Sequence, residues 1–224
     1  MKQGYFITGT DTGVGKTWAT VALLNYFKQQ GHRVAGMKPV ASGCDWRDDS
    51  WQNDDALLLQ AHASMPLPYA LINPYAYEMP VSPHLAGSDN PVDLAVILAN
   101  FAELKSLADV LLVEGAGGWF APINATLDIC GLAKAMQLPV IITVGIRLGC
   151  INHALLTHQA IAAAQLPCAG WLAVCNDATM LLPEANISTI KAKLPVPLLG
   201  VLPYQAQADF AALGRCLLGL DVVL

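Results

Sequence analysis

Gly9-Thr10-Asp11-Thr12-Gly13-Val14-Gly15-Lys16-Thr17 is a glycine-rich turn that ends in Gly-Lys-Thr. The apolar run Gly4-Tyr5-Phe6-Ile7-Thr8 before it reads as a short buried strand. After it, Val21, Leu23, Leu24 and Phe27 recur at helical spacing, and Gly31 offers a stop. Strand, glycine turn and helix in this order make a cradle for phosphate. Glycines let consecutive N–H groups converge on an anion, and the helix starts there with its positive dipole end. In such a cradle Lys16 reaches the β- and γ-phosphates of a nucleoside triphosphate, and the Thr17 hydroxyl ligates Mg²⁺. Thr10 holds the position where the usual spacing has its first glycine, which lies one residue earlier at Gly9. A loop one residue longer than the standard Walker A loop is therefore expected. A chance Gly-Lys-Thr in a surface turn leaves the flanking strand and helix unexplained.

Alternation continues along the chain. Residues 33–40 read as a second strand ending in Met37-Lys38-Pro39-Val40, residues 42–53 as an exposed loop, and Asp54-Asp55 as the opening of a helix. Residues 65–91 carry Pro66, Pro68, Pro74, Pro80, Pro83 and Pro91 and read as a long irregular excursion. Long structured loops in compact domains usually serve function. Strands are expected at 109–113, 140–144, 169–174 and 197–202, and helices near 91–106, 128–137, 152–165, 184–193 and from about 206. The pattern predicts an α/β fold in one domain over residues 1–224, a mainly parallel β-sheet flanked by helices on both faces. Such sheets bind ligands beyond the carboxyl ends of their strands, so candidate residues lie just after strands.

Composition narrows the function classes. The chain has 224 residues, of which 54% are hydrophobic and 13% charged. Residues 160–174, the longest apolar candidate, are interrupted by Gln165 and Pro167 and fall short of the roughly eighteen residues a spanning helix needs. Because Met1-Lys2 leads straight into the first strand, no removable leader and no membrane association are expected, and the location expected is cytoplasmic. A net charge of −5 supplies no footprint for nucleic acid. Cysteines 44, 130, 150, 168, 175 and 216 form no C-x-x-C pair and are expected as reduced thiols. The excess of apolar residues points to buried helices or a subunit interface.

Glu114 follows strand 109–113, and the small residues Gly115-Ala116-Gly117-Gly118 after it permit close approach of backbone to a ligand. An acid there faces Mg²⁺ directly or through water; a loop or capping carboxylate is the alternative. Lys38 ends the second strand before Pro39 and is aimed over the phosphate site, unless it is one more solvated lysine. Asp55 reads equally as a helix N-terminal charge. Ser42 and Thr12 offer hydroxyls, while His84 and His153 read as structural histidines. Asn176, after strand 169–174, reads either an adenine edge or forms a turn.

Taken together, Gly9-Thr10-Asp11-Thr12-x-Val14-Gly15-Lys16-Thr17, Lys38-Pro39-Val40-x-Ser42-Gly43 and Val113-Glu114-Gly115-Ala116-Gly117-Gly118 resemble the dethiobiotin synthetase family. Asp55-Ala56-Leu57, Ser82-Pro83-His84, Leu148-Gly149-Cys150-Ile151-Asn152-His153 and Asn176 support the resemblance, which spans essentially the whole chain. It implies a P-loop NTPase-type fold and an enzyme of biotin biosynthesis. Its reaction joins 7,8-diaminopelargonate and CO₂ (or bicarbonate) at the expense of ATP, with Mg²⁺, through a carbamate and a carbamic–phosphoric anhydride. By the resemblance, Thr17, Asp55 and Glu114 hold Mg²⁺, while Lys16, Lys38 and Thr12 serve catalysis and Ser42 contacts the diamine. The nucleotide's phosphates would lie against Gly13, Val14, Gly15, Lys16 and Thr17 and against Glu114, Gly115, Ala116 and Gly117. Its adenine would lie at Asn176, Pro203, Tyr204 and Gln205. The substrate carboxylate is implied to reach Cys150, Ile151 and Asn152 of a second copy in a homodimer, at a helix N-terminus. Gly13 stands where some members carry an acid, and the nearest candidate for the acid that members often place at the ribose is Asp209.

Two other readings share the fold. An amide synthase of the cobyrinate type usually carries a glutaminase domain, for which 224 residues leave no room. Switch ATPases of the septum-positioning or plasmid-partition type carry a second lysine five residues before the Gly-Lys-Thr lysine, where this chain has Asp11. They also often end in a basic amphipathic helix, whereas residues 217–224 are apolar with one acid.

Overall fold

Uninterrupted apolar runs give strands buried on both faces, and the computed structural model, which describes residues 3–217, places six of them in one parallel sheet. The reading of residues 218–224 lies outside the described residues. In chain order the elements are β1 (Gln3–Gly9), α1 (Lys16–Gln29), β2 (Val34–Met37), β3 (Val40–Ser42), β4 (Asp45–Arg47), β5 (Ser50–Gln52) and α2 (Asp54–His62). Then come α3 (Tyr69–Ile72), β6 (Tyr75–Tyr77), α4 (Pro83–Ala86), α5 (Leu94–Leu107), β7 (Val110–Gly118) and α6 (Ile129–Met136). The chain continues through β8 (Val140–Gly145), α7 (Cys150–Ala163), β9 (Cys168–Val174), α8 (Pro183–Lys193), β10 (Leu198–Leu202) and α9 (Phe210–Arg215).

The sheet order is β10-β9-β8-β1-β7-β2. The chain steps one way from β1 to β2 and the other way from β7 through β8 to β10. With right-handed crossovers, that reversal puts helices on both faces. It also makes the end of β1, where the glycine loop begins, a switch point suited to a ligand. Phe6, Ile7, Leu23, Leu24, Phe27, Leu111 and Trp171 are fully buried between the layers.

Four expectations change. Residues 42–53 are no open loop: β4 and β5 form an antiparallel hairpin with Trp46 opposite Trp51, turning on Asp48 and Asp49 at φ 47° and 60°. Aspartate tolerates this left-handed turn, and the cross-strand tryptophans, 5.3 Å apart, supply the packing. Strand 33–40 breaks at Lys38, because β2 stays in the large sheet while β3 leaves it to pair with β6 of the excursion. Strand 109–113 runs on through Glu114 and the glycines to Gly118, which pairs with Gly9 across a register shift. The last helix starts at Phe210, not near 206, because the Asp209 carboxylate caps it by accepting from the Ala212 N–H at 2.9 Å.

Candidate active site

Gly15 sits at φ 87°, and a Cβ there would stand 2.7 Å from Val174 Cγ1 at the end of β9. The Thr10 N–H donates to the Thr143 carbonyl of β8. Side chains brace the same loop. Asn176 Nδ2 donates to the Gly13 carbonyl at 2.7 Å, Lys16 Nζ to the Asp11 carbonyl at 2.9 Å, and Arg147 pairs with the Asp11 carboxylate at 2.5 Å. Asn176 is thus more than a plain turn former, and with one amide N–H on Gly13 its second N–H and its amide oxygen are still available to a base.

Beside the loop, groups from α1, α2, β7 and the link after β2 converge. Glu114 of β7 is 0% exposed, and its Oε1 accepts from the Thr17 hydroxyl at 2.9 Å and from Lys38 Nζ at 2.7 Å. Lys38 Nζ also donates to Asp55 Oδ2 at 2.6 Å. Asp55 lies in the first turn of α2, whose cap is the Asn53 side chain. Lys38 is only 5% exposed, so it is no surface lysine, and Asp55 is an ion-pair partner as well as a helix charge. Burial opposes the Lys38 charge, yet Glu114 and Asp55 outweigh it and hold the ammonium above the ordinary lysine range. Burial works against the Asp55 charge too, but Lys38 keeps that carboxyl below its usual value. For Lys16 the balance falls the other way: burial, and then the charge of Lys38, outweigh Glu114, Asp55 and Asp11 and bring its pKa down to about 8.

The Lys38 ammonium therefore stands where two carboxylates and a hydroxyl meet, and Glu114 Oε2 is buried without a partner. Among the described residues no three His, Cys, Asp or Glu side chains cluster as a metal cage. Two carboxylates, one of them with an oxygen uncommitted, and one hydroxyl fit a hard cation such as Mg²⁺, which keeps waters and substrate phosphates as its other ligands.

These groups line a cavity of about 850 Å³. Thr12, Gly13, Gly15, Lys16, Thr17, Lys38, Ser42, Asp55, Glu114, Ala116 and Gly117 all face it, as do Asn176, Pro203, Tyr204 and Gln205. Val14 is buried beneath the loop, and Gly115 faces inward, where a Cβ would meet Ile129 and Phe6. Odd and even residues of a strand face opposite ways, so Ala116 lines the cavity and Gly115 does not. Cys150, Ile151 and Asn152 begin α7 after Gly149 at φ 94° and do not line this chain's cavity. His84 Nδ1 meets Ser82 Oγ at 2.9 Å, a local contact, and all six cysteines are free thiols. Trp18 was missed. It follows Thr17 on α1, lines the cavity, and packs edge-on against Phe210 of α9 at 5.7 Å. Its place directly after the loop's threonine was the signal, since that side chain emerges beside whatever the loop holds.

A glycine loop closing the central strand of a parallel sheet, followed by a buried lysine–carboxylate cluster, defines a phosphate-loop nucleotide-binding protein. The fold agrees with solved structures. The MinC:MinD cell division protein complex of Aquifex aeolicus superposes with a TM-score of 0.58 at 16% identity, over 98% of this chain and 88% of that one. The signal recognition particle receptor FtsY of Elizabethkingia anophelis gives 0.56 at 15%, over 96% of this chain and 65% of that one. The profile of the family described as "AAA domain" matches residues 3–212. The ATP-dependent dethiobiotin synthetase BioD of Xanthomonas euvesicatoria is 51% identical over 211 residues, 93% of this chain and 94% of the relative. That of Xylella fastidiosa strain M12 is 47% identical over 205 residues, 90% of each. The chain belongs to the family of ATP-dependent dethiobiotin synthetases, enzymes of the ligase class.

Proposed function

We propose that the chain closes the cyclic urea of dethiobiotin from 7,8-diaminopelargonate, CO₂ and ATP, with Mg²⁺, releasing ADP and phosphate. The observation that carries this reading is the Lys38, Glu114, Asp55 and Thr17 cluster, set against the phosphate loop in one cavity with Ser42. One amine of the substrate takes up CO₂ as a carbamate. A carbamate oxygen attacks the γ-phosphorus, and the resulting anhydride turns a poor leaving group into phosphate. The second amine then attacks the carbonyl carbon, closing the ring and expelling phosphate. The protein's part is positioning and charge stabilisation. Lys16 and Lys38 would face the charge that spreads over the transferring phosphoryl group and the carbamate, with Thr12 beside them. Ser42, whose hydroxyl is buried without a partner, offers a hydrogen bond to the diamine. Thr17, Asp55 and Glu114 would hold Mg²⁺, which when bound neutralises phosphate charge and orients the nucleotide. Trp18 and the segment 203–205 would cover the nucleoside. Purified chain should release ADP only when the diamine and bicarbonate are both present; ADP release indifferent to the diamine would sink the reading.

The reading makes nucleotide binding pH-dependent. A bound triphosphate places negative charge at Lys16 and raises its pKa above about 8. Binding should therefore take up a proton above pH 8 and weaken as pH rises, and take up almost none near pH 6.5. Lys16→Arg should abolish the uptake, because its guanidinium stays charged throughout. Calorimetry in buffers of different ionisation enthalpy measures this directly, and equal uptake at pH 6.5 and 8.5 would contradict it.

The site is completed in a homodimer, in which Cys150, Ile151 and Asn152 of one subunit hold the substrate carboxylate of the other with N–H groups at the start of α7. Support comes from the apolar surface there: Leu148 is 92% exposed, and Leu156, Leu181 and Leu182 are also well exposed on α7 and before α8, which pack together. No helix among the described residues is long and apolar enough to cross a membrane, so this surface is not read as a span. Mixing Lys38→Ala subunits with subunits disrupted at Asn152 should restore about one working site per heterodimer, because the intact halves come from different chains. A fully active monomer in sedimentation would overturn the shared site.

A further inference from the structure

Lys38 stands where the chain leaves the central sheet, so no strand of that sheet fixes it beyond Met37. The proline-rich excursion takes over. The Lys38 N–H donates to the Ile72 carbonyl at 2.9 Å, and Asn73 Nδ2 donates to the Lys38 carbonyl at 2.6 Å. Asn73 is 3% exposed and fully used: its N–H₂ also reaches the Tyr75 carbonyl at 3.2 Å, and its Oδ1 accepts from the Tyr69 hydroxyl at 2.7 Å. Two carbonyl acceptors on one side fix the orientation of that amide, because a flip would set oxygen against oxygen. The Tyr69 oxygen in turn accepts from the Asn53 N–H at 2.7 Å. Asn53 Oδ1 accepts from the N–H groups of Asp55 and Ala56 at 3.1 and 3.4 Å. The Asp55 carboxylate closes the circuit by accepting from Lys38 Nζ.

We propose that Tyr69 and Asn73 are positioning residues for the reaction. Their ring of hydrogen bonds, running through Lys38, Asn73, Tyr69, Asn53 and Asp55, sets the distance between a lysine from one element and a carboxylate from another. The proposal rests on the roles given above to Lys38 and Asp55. Lys38, Asn53 and Asp55 each enter the ring through a backbone group and a side chain, and Asn73 and Tyr69 bridge them through side chains alone, so a shift of α2 relative to the end of β2 breaks it at several points. Burial pushes the Tyr69 phenol up to about 12, so it remains a donor across the working range of pH. Small misplacements of reacting groups are expensive in rate, up to about a hundredfold for 1 Å. Neither residue needs to touch substrate to matter.

The test compares two phenols of the same excursion. Tyr69→Phe removes one hydroxyl from the ring. Tyr77→Phe removes a hydroxyl that donates to the Asn90 carbonyl at 2.8 Å and has no link to Lys38 or Asp55. Tyr69→Phe is expected to lower kcat on the order of tenfold, leave the KM for the diamine nearly unchanged, and raise the Mg²⁺ concentration needed for half-maximal ATP binding several-fold. Tyr77→Phe is expected to do none of these, whatever either change does to the melting temperature. Should Tyr69→Phe fail to fold, Asn53→Ala, which frees the first turn of α2 alone, must show the same pattern. Equal kcat for the two phenylalanine variants would overturn the proposal. A wild-type chain without turnover would instead sink the synthetase reading. The ring would then stand or fall on the Mg²⁺ dependence of ATP binding, which must differ between the two variants.

Discussion

Replacing Lys38 by alanine is expected to abolish nearly all turnover, on the order of 10²-fold or more, and also to loosen the fold. The first effect follows from the proposed function, in which Lys38 would face the transferring phosphoryl group. The second follows from the burial of its partner. Glu114 is fully buried and would be left with only the Thr17 hydroxyl as a hydrogen-bond partner. Breaking a buried pair in this way costs about 3–5 kcal/mol, or roughly 10 °C of melting temperature in a chain of this size. Mg²⁺ with ADP should return part of that loss, since on the proposed function the cation would take up the same carboxylates. Scanning calorimetry with and without the metal nucleotide reads the effect. An unchanged melting temperature together with normal turnover would reduce Lys38 to a bystander.

Gly15→Ala is expected to weaken ATP binding by at least about 10²-fold while leaving the sheet intact. An L side chain at φ 87° is already strained, by roughly 1–2 kcal/mol. Here the added methyl also meets Val174 Cγ1 at 2.7 Å, in a β9 residue that cannot retreat from its sheet. Either the loop or the strand end must move, and the loop is the softer of the two. Gly13→Ala provides the contrast, because at φ 70° it meets nothing within 4 Å and costs strain alone. Equilibrium binding of ATP to the two variants separates strain from collision. Equal losses would show that Val174 yields.

Much of this was legible in the residues. Runs such as Val140–Gly145 cannot form anything but a doubly buried strand, and the order of strands and helices leaves little besides a parallel sheet. Their places after strands or at a helix start made Lys38, Glu114 and Asp55 candidates, the family resemblance gave them roles, and the structure brings all three within hydrogen-bonding reach. What stayed hidden depends on partners distant in the chain. The β4–β5 hairpin is polar except for Trp46 and Trp51, so its alternation is too short to read. Glycines after Glu114 suggested a strand end, yet β1 supplies hydrogen bonds that carry β7 on to Gly118. Nothing local to Asn73 or Tyr69 reveals that they link Lys38 to the start of α2. Trp18 has only its place after the loop's threonine to mark it, because a helix has several faces and the fold turns this one to the cavity.

The sheet order also governs how the chain can be made. β1 has β7 and β8 as its neighbours, and β2 has only β7, so the first two main strands of the polypeptide have no partner in the large sheet among the residues before Val110. On a ribosome, the phosphate loop must therefore wait unsheltered until β7 emerges. It gains its anchor at Thr143 only after β8 follows. Until then β1 and β2 are apolar strands without a partner in the large sheet, the condition under which holding chaperones are most needed.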